Sequence, residues 1–174
     1  NSATYNGLPV CNLPVGDPIT TDMHLTANNA YFFSGTVFVG NNTVNTPFAD
    51  KVSLTIDPGV SIISEGGQSA LVVSRGGKIF VNGSPDKPII MTSSQDDGSL
   101  DVLNARGLWG GVAINGSATQ NTASGLAQGE GSTGEYGGGT VMLWDRGTWH
   151  PIEGKSADDI EEGHLHFVLE GERM

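Results

Sequence analysis

Apolar and polar positions alternate in short runs, and helical spacing is nearly absent before residue 155. Runs rich in Val, Ile, Thr and Phe stand between clusters of Gly, Asn, Asp and Pro, which predicts strands of three to five residues. They cover Tyr31 to Phe33, Thr36 to Val39, Val52 to Ile56, Val60 to Ile63, Leu71 to Val73, Ile79 to Val81 and Ile89 to Thr92. RGLWGGVAIN, from Arg106 to Asn115, reads as a further strand unit with Trp109 near its start, and Ser93 to Ser99 as a turn-rich excursion. Asn115 to Gly139 is mostly Gly, Ser, Thr, Ala and Asn and reads as loop.

The strand runs repeat. LTIDPGVSIISEG, from Leu54, aligns without gaps on LVVSRGGKIFVNG, from Leu71, at an offset of 17, so that Gly59 meets Gly76 and Gly66 meets Gly83. The same offset stacks Val39, Ile56, Val73 and Ile90. In a strand, residues two apart share a face, so Leu54 and Ile56 point inward together and Thr55 outward. Glycine-bearing corners and stacked apolar positions are what a solenoid of parallel coils requires. The competing reading is an antiparallel sandwich with coincidental spacing. The expected fold is all-β: a right-handed parallel β-helix of about four to five coils with an additional C-terminal β segment.

Composition agrees with many tight turns: 26 glycines in 174 residues is roughly twice ordinary usage. Eight Lys and Arg against 19 Asp and Glu leave a net charge of −11, which argues against capture of nucleic acid or of an anionic membrane. No apolar stretch is long enough for a membrane-spanning helix. The chain starts at Asn1 with neither Met nor an apolar leader, which reads as a processed or trimmed product. Cys11 is the sole cysteine, so no internal disulfide forms, and it is expected to behave as a small apolar residue in an N-terminal loop.

Two resemblances follow from quoted segments. LTIDPGVSI, LVVSRGGKIFVNGSPDKPIIMTSS, RGLWGGVAINGSA and GEGSTGEYGG, with HLTANNAYFFSGTVFVGN upstream, resemble a family of bacterial secreted or surface parallel β-helix proteins over residues 17–138. That resemblance implies architecture and a location outside the cell or on its surface, with no catalytic set to carry over. GEYGGGTVMLWDRGTWHPI, from Gly134, and GHLHFVLEGERM, from Gly163, are similar to the later strands of the 3'-phosphoesterase domain of bacterial ligase D. The two meet in residues 129–138, so the chain reads as a join of unrelated families: a β-helix over 1–128, a Gly-rich junction over 129–139 and a phosphoesterase-like segment over 140–174. Charge changes at the same place, from net −4 over residues 1–128 to net −7 over 129–174.

The phosphoesterase resemblance implies a metal site built from two histidines six apart, followed by Asp, Arg and a later histidine, all upstream of the GEYGGGTV motif. Here the only histidine upstream of Gly134 is His24, flanked by Met23 and Leu25, so the site is missing from the matching strands. Other candidates come from the residues themselves. Asp96, Asp97 and Asp101 offer hard oxygen ligands to calcium, against a plain Asp-Gly turn, and their spacing fits no EF-hand. His164 and His166 would share one strand face and so a metal, against a solvated face opposite Leu165, Phe167 and Leu169. Glu130 and Glu135 as a glycosidase pair lie in a Gly/Ser loop that cannot hold two carboxylates at a set separation. Trp109, Trp144 and Trp149 read as core or cap residues rather than a sugar platform, and the acidic run Asp158 to His164 as a solvated turn or short helix.

The expected function is non-enzymatic, with no catalytic residue and no cofactor beyond calcium: a solenoid module with a structural, adhesive or assembly role. Its open ends expose backbone groups and invite self-association unless capped. A metal-dependent 3'-phosphoesterase acting on DNA ends and a fusion without selected function are the alternatives.

Overall fold

The computed structural model describes residues 3–43, 46–97, 107–116, 118, 121–125, 127–128, 135–143 and 147–149, with backbone only for 128, 135–143 and 147–149. Among the described residues the elements are strands, apart from a short 3-10 turn at Phe48–Asp50. In chain order the strands are β1 (Thr4–Tyr5), β2 (Leu8–Asn12), β3 (Met23–Leu25), β4 (Ala30–Phe33), β5 (Thr36–Val39), β6 (Val52–Ile56) and β7 (Ser61–Ser64). There follow β8 (Ala70–Val73), β9 (Gly77–Val81), β10 (Ile89–Ser93), β11 (Val112–Gly116), β12 (Ala127–Gln128), β13 (Glu135–Leu143) and β14 (Gly147–Trp149).

They form three sheets. Sheet I is β3-β6-β9, sheet II is β1-β2-β4-β7-β10-β14 and sheet III is β12-β13-β11-β8-β5. From β3 to β11 the chain visits I, II and III in that order three times, and each strand pairs in parallel with the one three strands later. Parallel neighbours need a crossover between them, and here each crossover consists of the strands of the other two sheets. Side chains on the inner faces meet in one core that includes Leu25, Phe33, Val37, Leu54, Ile56, Ile62, Leu71 and Met91, each at most 1% exposed. Burying one such side chain contributes roughly 1.5–3 kcal/mol.

The expected inward pair Leu54 and Ile56 is borne out, with Thr55 on the other face and partly exposed. The expected circuit is not. Leu54 pairs with Ile79 rather than with Leu71, and Leu71 pairs with Val112. Val39 does pair with Val73, two steps of the repeat further on, because the circuit from β5 to β8 is twice as long as the repeat implied. Ile56 lies in sheet I, in line with Leu25 and Val81. Ile90, opposite Ser61, is partly exposed, and its neighbours Ile89 and Met91 point into the core instead. One step of the repeat therefore spans about half a circuit and carries the chain from one sheet to another. Gly59 and Gly76 are likewise not equivalent corners: Gly59 links sheet I to sheet II in a left-handed conformation, and Gly76 links sheet III to sheet I without one.

The ends of the stack are treated differently from its middle. β1 runs antiparallel along β2, at the first edge of sheet II. At the first edge of sheet III, the Gly16 and Ile19 N–H groups donate to the carbonyls of Thr36 and Phe38. At the far end, β13 lies antiparallel on β11 and β14 antiparallel on β10. Glu135 to Gly139, expected as loop, thus belong to a strand: Glu135 and Tyr136 pair with β12, and Gly137 pairs with Gly116 of β11. Cys11, expected as an apolar loop residue, sits in β2 opposite Tyr31 and is exposed, beyond Leu8 and Pro9, the positions of β2 that pair with β1.

Candidate functional site

Sheet I presents the chemistry-bearing side chains of the outer surface. Inward Leu54, Ile56 and Ile79 leave Ser53, Thr55, Lys78 and Phe80 on the opposite face, and strand register lines them up as Ser53 beside Lys78 and His24-Thr55-Phe80. Asp22, just before β3, accepts the Ser53 N–H at 2.8 Å. That hydrogen bond, helped by Lys78, holds the Asp22 carboxyl below the usual carboxylate range. Lys78 donates to the carbonyls of Phe48 and Ala49 at 3.2 and 3.3 Å and stands 5.1 Å above the Phe48 ring, which fastens the 3-10 turn to this face. Burial, with repulsion from Lys78, pushes the Lys51 ammonium down.

His24 Nε2 and Asp57 Oδ1 are 2.7 Å apart, joining β3 to the corner after β6. Their side chains are 57% and 36% exposed, so the pair contributes at most about 1 kcal/mol. A carboxylate beside an imidazole can orient a general base. Here it stands on an open face, and no cluster of three or more His, Cys, Asp or Glu able to hold a metal occurs among the described residues. Sequence reading missed this pair: the partners are 33 residues apart, and only the coil register brings them together.

Of the sequence-derived candidates, Asp96 accepts the Thr92 hydroxyl at 2.7 Å, while its N–H donates to the Ser93 carbonyl, which ties it into the turn after β10. Asp97 follows it and is exposed. Asp101, His164, His166, Glu130, Trp144 and the acidic run 158–164 lie outside the described residues; Glu135 and Trp149 begin β13 and end β14. Trp109 is a core residue, 5% exposed and edge-on to Phe33 at 6.1 Å between ring centres.

The corners hold a buried charged group. Arg75 is 2% exposed and donates from Nε to Asn42 Oδ1 at 2.7 Å. Around it the corner after β8 stacks on the corner after β5: the Ser74 and Gly76 N–H groups donate to the carbonyls of Val39 and Asn41.

Comparison with known proteins divides the chain in two. Residues 17–142 match the family of pectate-lyase-like β-helix domains, and residues 115–174 match the 3'-phosphoesterase domain of DNA ligase D. The matches overlap over residues 115–142, which contain β13 up to its last residue, so both families meet in the strand that lies on β11. A curated relative, the multifunctional non-homologous end joining protein LigD of Pseudomonas aeruginosa, is 46% identical over 41 residues. That stretch is 24% of this chain and 5% of the relative, so the chain spans about a twentieth of that protein. No solved structure matches the chain.

Proposed function

Since the chain belongs to the family of pectate-lyase-like β-helix domains, we propose that it works as a non-enzymatic solenoid module of a bacterial surface or secreted protein, with a structural, adhesive or assembly role. In this reading the circuits close into a right-handed solenoid of four to five coils, the hand favoured for parallel crossovers. The β-helix occupies residues 1–128 and the phosphoesterase-like segment, 140–174, acts as its cap, with the junction 129–139 already leading into β13.

One observation carries the proposal: β13 and β14 run antiparallel along β11 and β10. A sheet edge offers unpaired N–H and C=O groups to any strand that arrives, and natural sheets cover such edges. In this role the phosphoesterase-like strands supply backbone pairing, for which their missing histidines are irrelevant. Deletion of residues 140–174 should cause aggregation or loss of cooperative melting, and a soluble truncated monomer with unchanged melting would sink the proposal. The competing activity is tested directly with a 3'-phosphorylated duplex and manganese. Turnover by the purified chain would replace the structural reading with a DNA end-processing one, and a net charge of −11 disfavours that substrate.

A further inference from the structure

Lys51 and Lys78 are brought together on the outer face of sheet I. Lys51 is extended, with φ −69° and ψ 138°, so it continues the alternation of β6 and faces outward with Ser53 and Thr55. Lys78 stands beside Ser53 in the register of β6 with β9, on the same face. One atom joins the two residues: the Phe48 carbonyl oxygen accepts the Lys51 N–H at 3.3 Å and the Lys78 ammonium at 3.2 Å. The Ala49 carbonyl and the Phe48 ring also engage the Lys78 head group, so its charge is held in place against the 3-10 turn. The Lys51 ammonium has no such anchor among the described residues, whose one ion pair is His24 with Asp57, and the Lys51 side chain is half-buried. The other charges around it are Asp50, exposed on its N-terminal side, Asp22, turned to the Ser53 N–H, and Arg75, bonded to Asn42.

We propose that Lys51 is a nucleophilic amine and the chain's site of covalent attachment for small polar aldehydes. A fixed cation beside a half-buried amine disfavours protonation of that amine, which is how a lysine is readied for Schiff-base chemistry near neutral pH. Burial and Lys78 both push the Lys51 ammonium down, in agreement with the arrangement. In the step itself the neutral amine adds to the aldehyde carbon, a proton passes from nitrogen to the former carbonyl oxygen, and water leaves as the imine forms. A polar aldehyde suits the position because the neighbouring outward side chains are Ser53, Asp22 and Thr55 rather than an apolar pocket. Lys87 supplies the contrast: it is exposed, and the corner 82–88 that carries it holds an aspartate, Asp86, and no other base.

Reductive alkylation of the full chain tests this. Glycolaldehyde with cyanoborohydride traps the imine, and peptide mass spectrometry reads the alkylated fraction of Lys51 and of Lys87. Lys51 is expected to react at least fivefold faster than Lys87 at about pH 6.5, and the ratio to fall toward about pH 10, where Lys87 also becomes neutral. Concentrated urea should bring the ratio close to one. Lys78→Gln keeps a donor for the two carbonyls and removes the charge, so it should cut the ratio at least twofold, whereas Lys78→Arg, which keeps the charge, should preserve it. Equal or slower labelling of Lys51 in the folded chain overturns the proposal, as does a ratio that survives urea or one that a folded Lys78→Gln chain leaves untouched. The pH profile needs no variant, so a flat ratio from about pH 6.5 to 10 overturns the proposal even where Lys78→Gln unfolds.

Discussion

Gly77 and Val39 touch across one turn of the stack: a Cβ built on Gly77 would run into the Val39 carbonyl oxygen, and the Val39 carbonyl carbon lies 2.8 Å from it. The contact is backbone, so no side chain can rotate away. Gly77→Ala must separate two corners held together by the Ser74 and Gly76 hydrogen bonds. We expect a loss at the upper end of the roughly 1–3 kcal/mol typical of overpacking, read as a fall in melting temperature by circular dichroism. An unchanged midpoint would mean that the corners do not stack this closely.

Register is tested by two aspartates. Ile56→Asp places a carboxylate in a fully buried position and should cost about 4 kcal/mol or abolish folding. Ile90→Asp, on the outer face opposite Ser61, should cost under about 1.5 kcal/mol. A circuit as short as the sequence repeat would make the two positions equivalent and demand equal losses, so comparison of the two urea midpoints separates the alternatives.

The corner around Arg75 depends on its acceptor. Asn42→Ala removes the oxygen that takes the Nε–H of a guanidinium only 2% exposed, and hydrogen bonds to charged groups are worth about 1.5–3 kcal/mol. Chemical denaturation should show that loss. Asn42→Asp, which keeps an oxygen in place, should restore most of it.

Asp22 gives the stability a pH dependence of known sign. Its carboxyl is depressed in the folded chain, so its stabilising effect is complete above the ordinary carboxylate range, near pH 4, and fades as pH falls through the lower folded value. Asp22→Asn should therefore be less stable than the parent chain at pH 6, and the difference should shrink toward pH 3. A difference that grows on acidification would contradict the Asp22–Ser53 hydrogen bond.

Strands were legible where β-branched runs are bounded by turn residues. The expected Thr36 to Val39 and Val52 to Ile56 coincide with β5 and β6, and most others differ by one or two residues at their ends. β2 and β3 escaped because LPVCN carries a proline in a short run and Met23–Leu25 spans only three residues, so both depend on parallel pairing with β4 and β6. Register was not legible, since the apolar repeat is satisfied equally by one short coil and by half of a longer one. The His24–Asp57 pair and the Asp22–Ser53 bond carry no local sign at all, because they bridge 33 and 31 residues through sheet I.

The three sheets do not share the length of a circuit equally. Paired positions run from Leu54 to Ile79 between β6 and β9, from Ser61 to Ile90 between β7 and β10, and from Leu71 to Val112 between β8 and β11. Each span is longer than the one before, and most of the extra chain of the last circuit enters between Ser93 and Val112. Strand pairing on either side is undisturbed by it. That corner is accordingly the place where sequence can be lengthened, exchanged or decorated at little cost to the stack, and a peptide inserted there would be displayed on a rigid support.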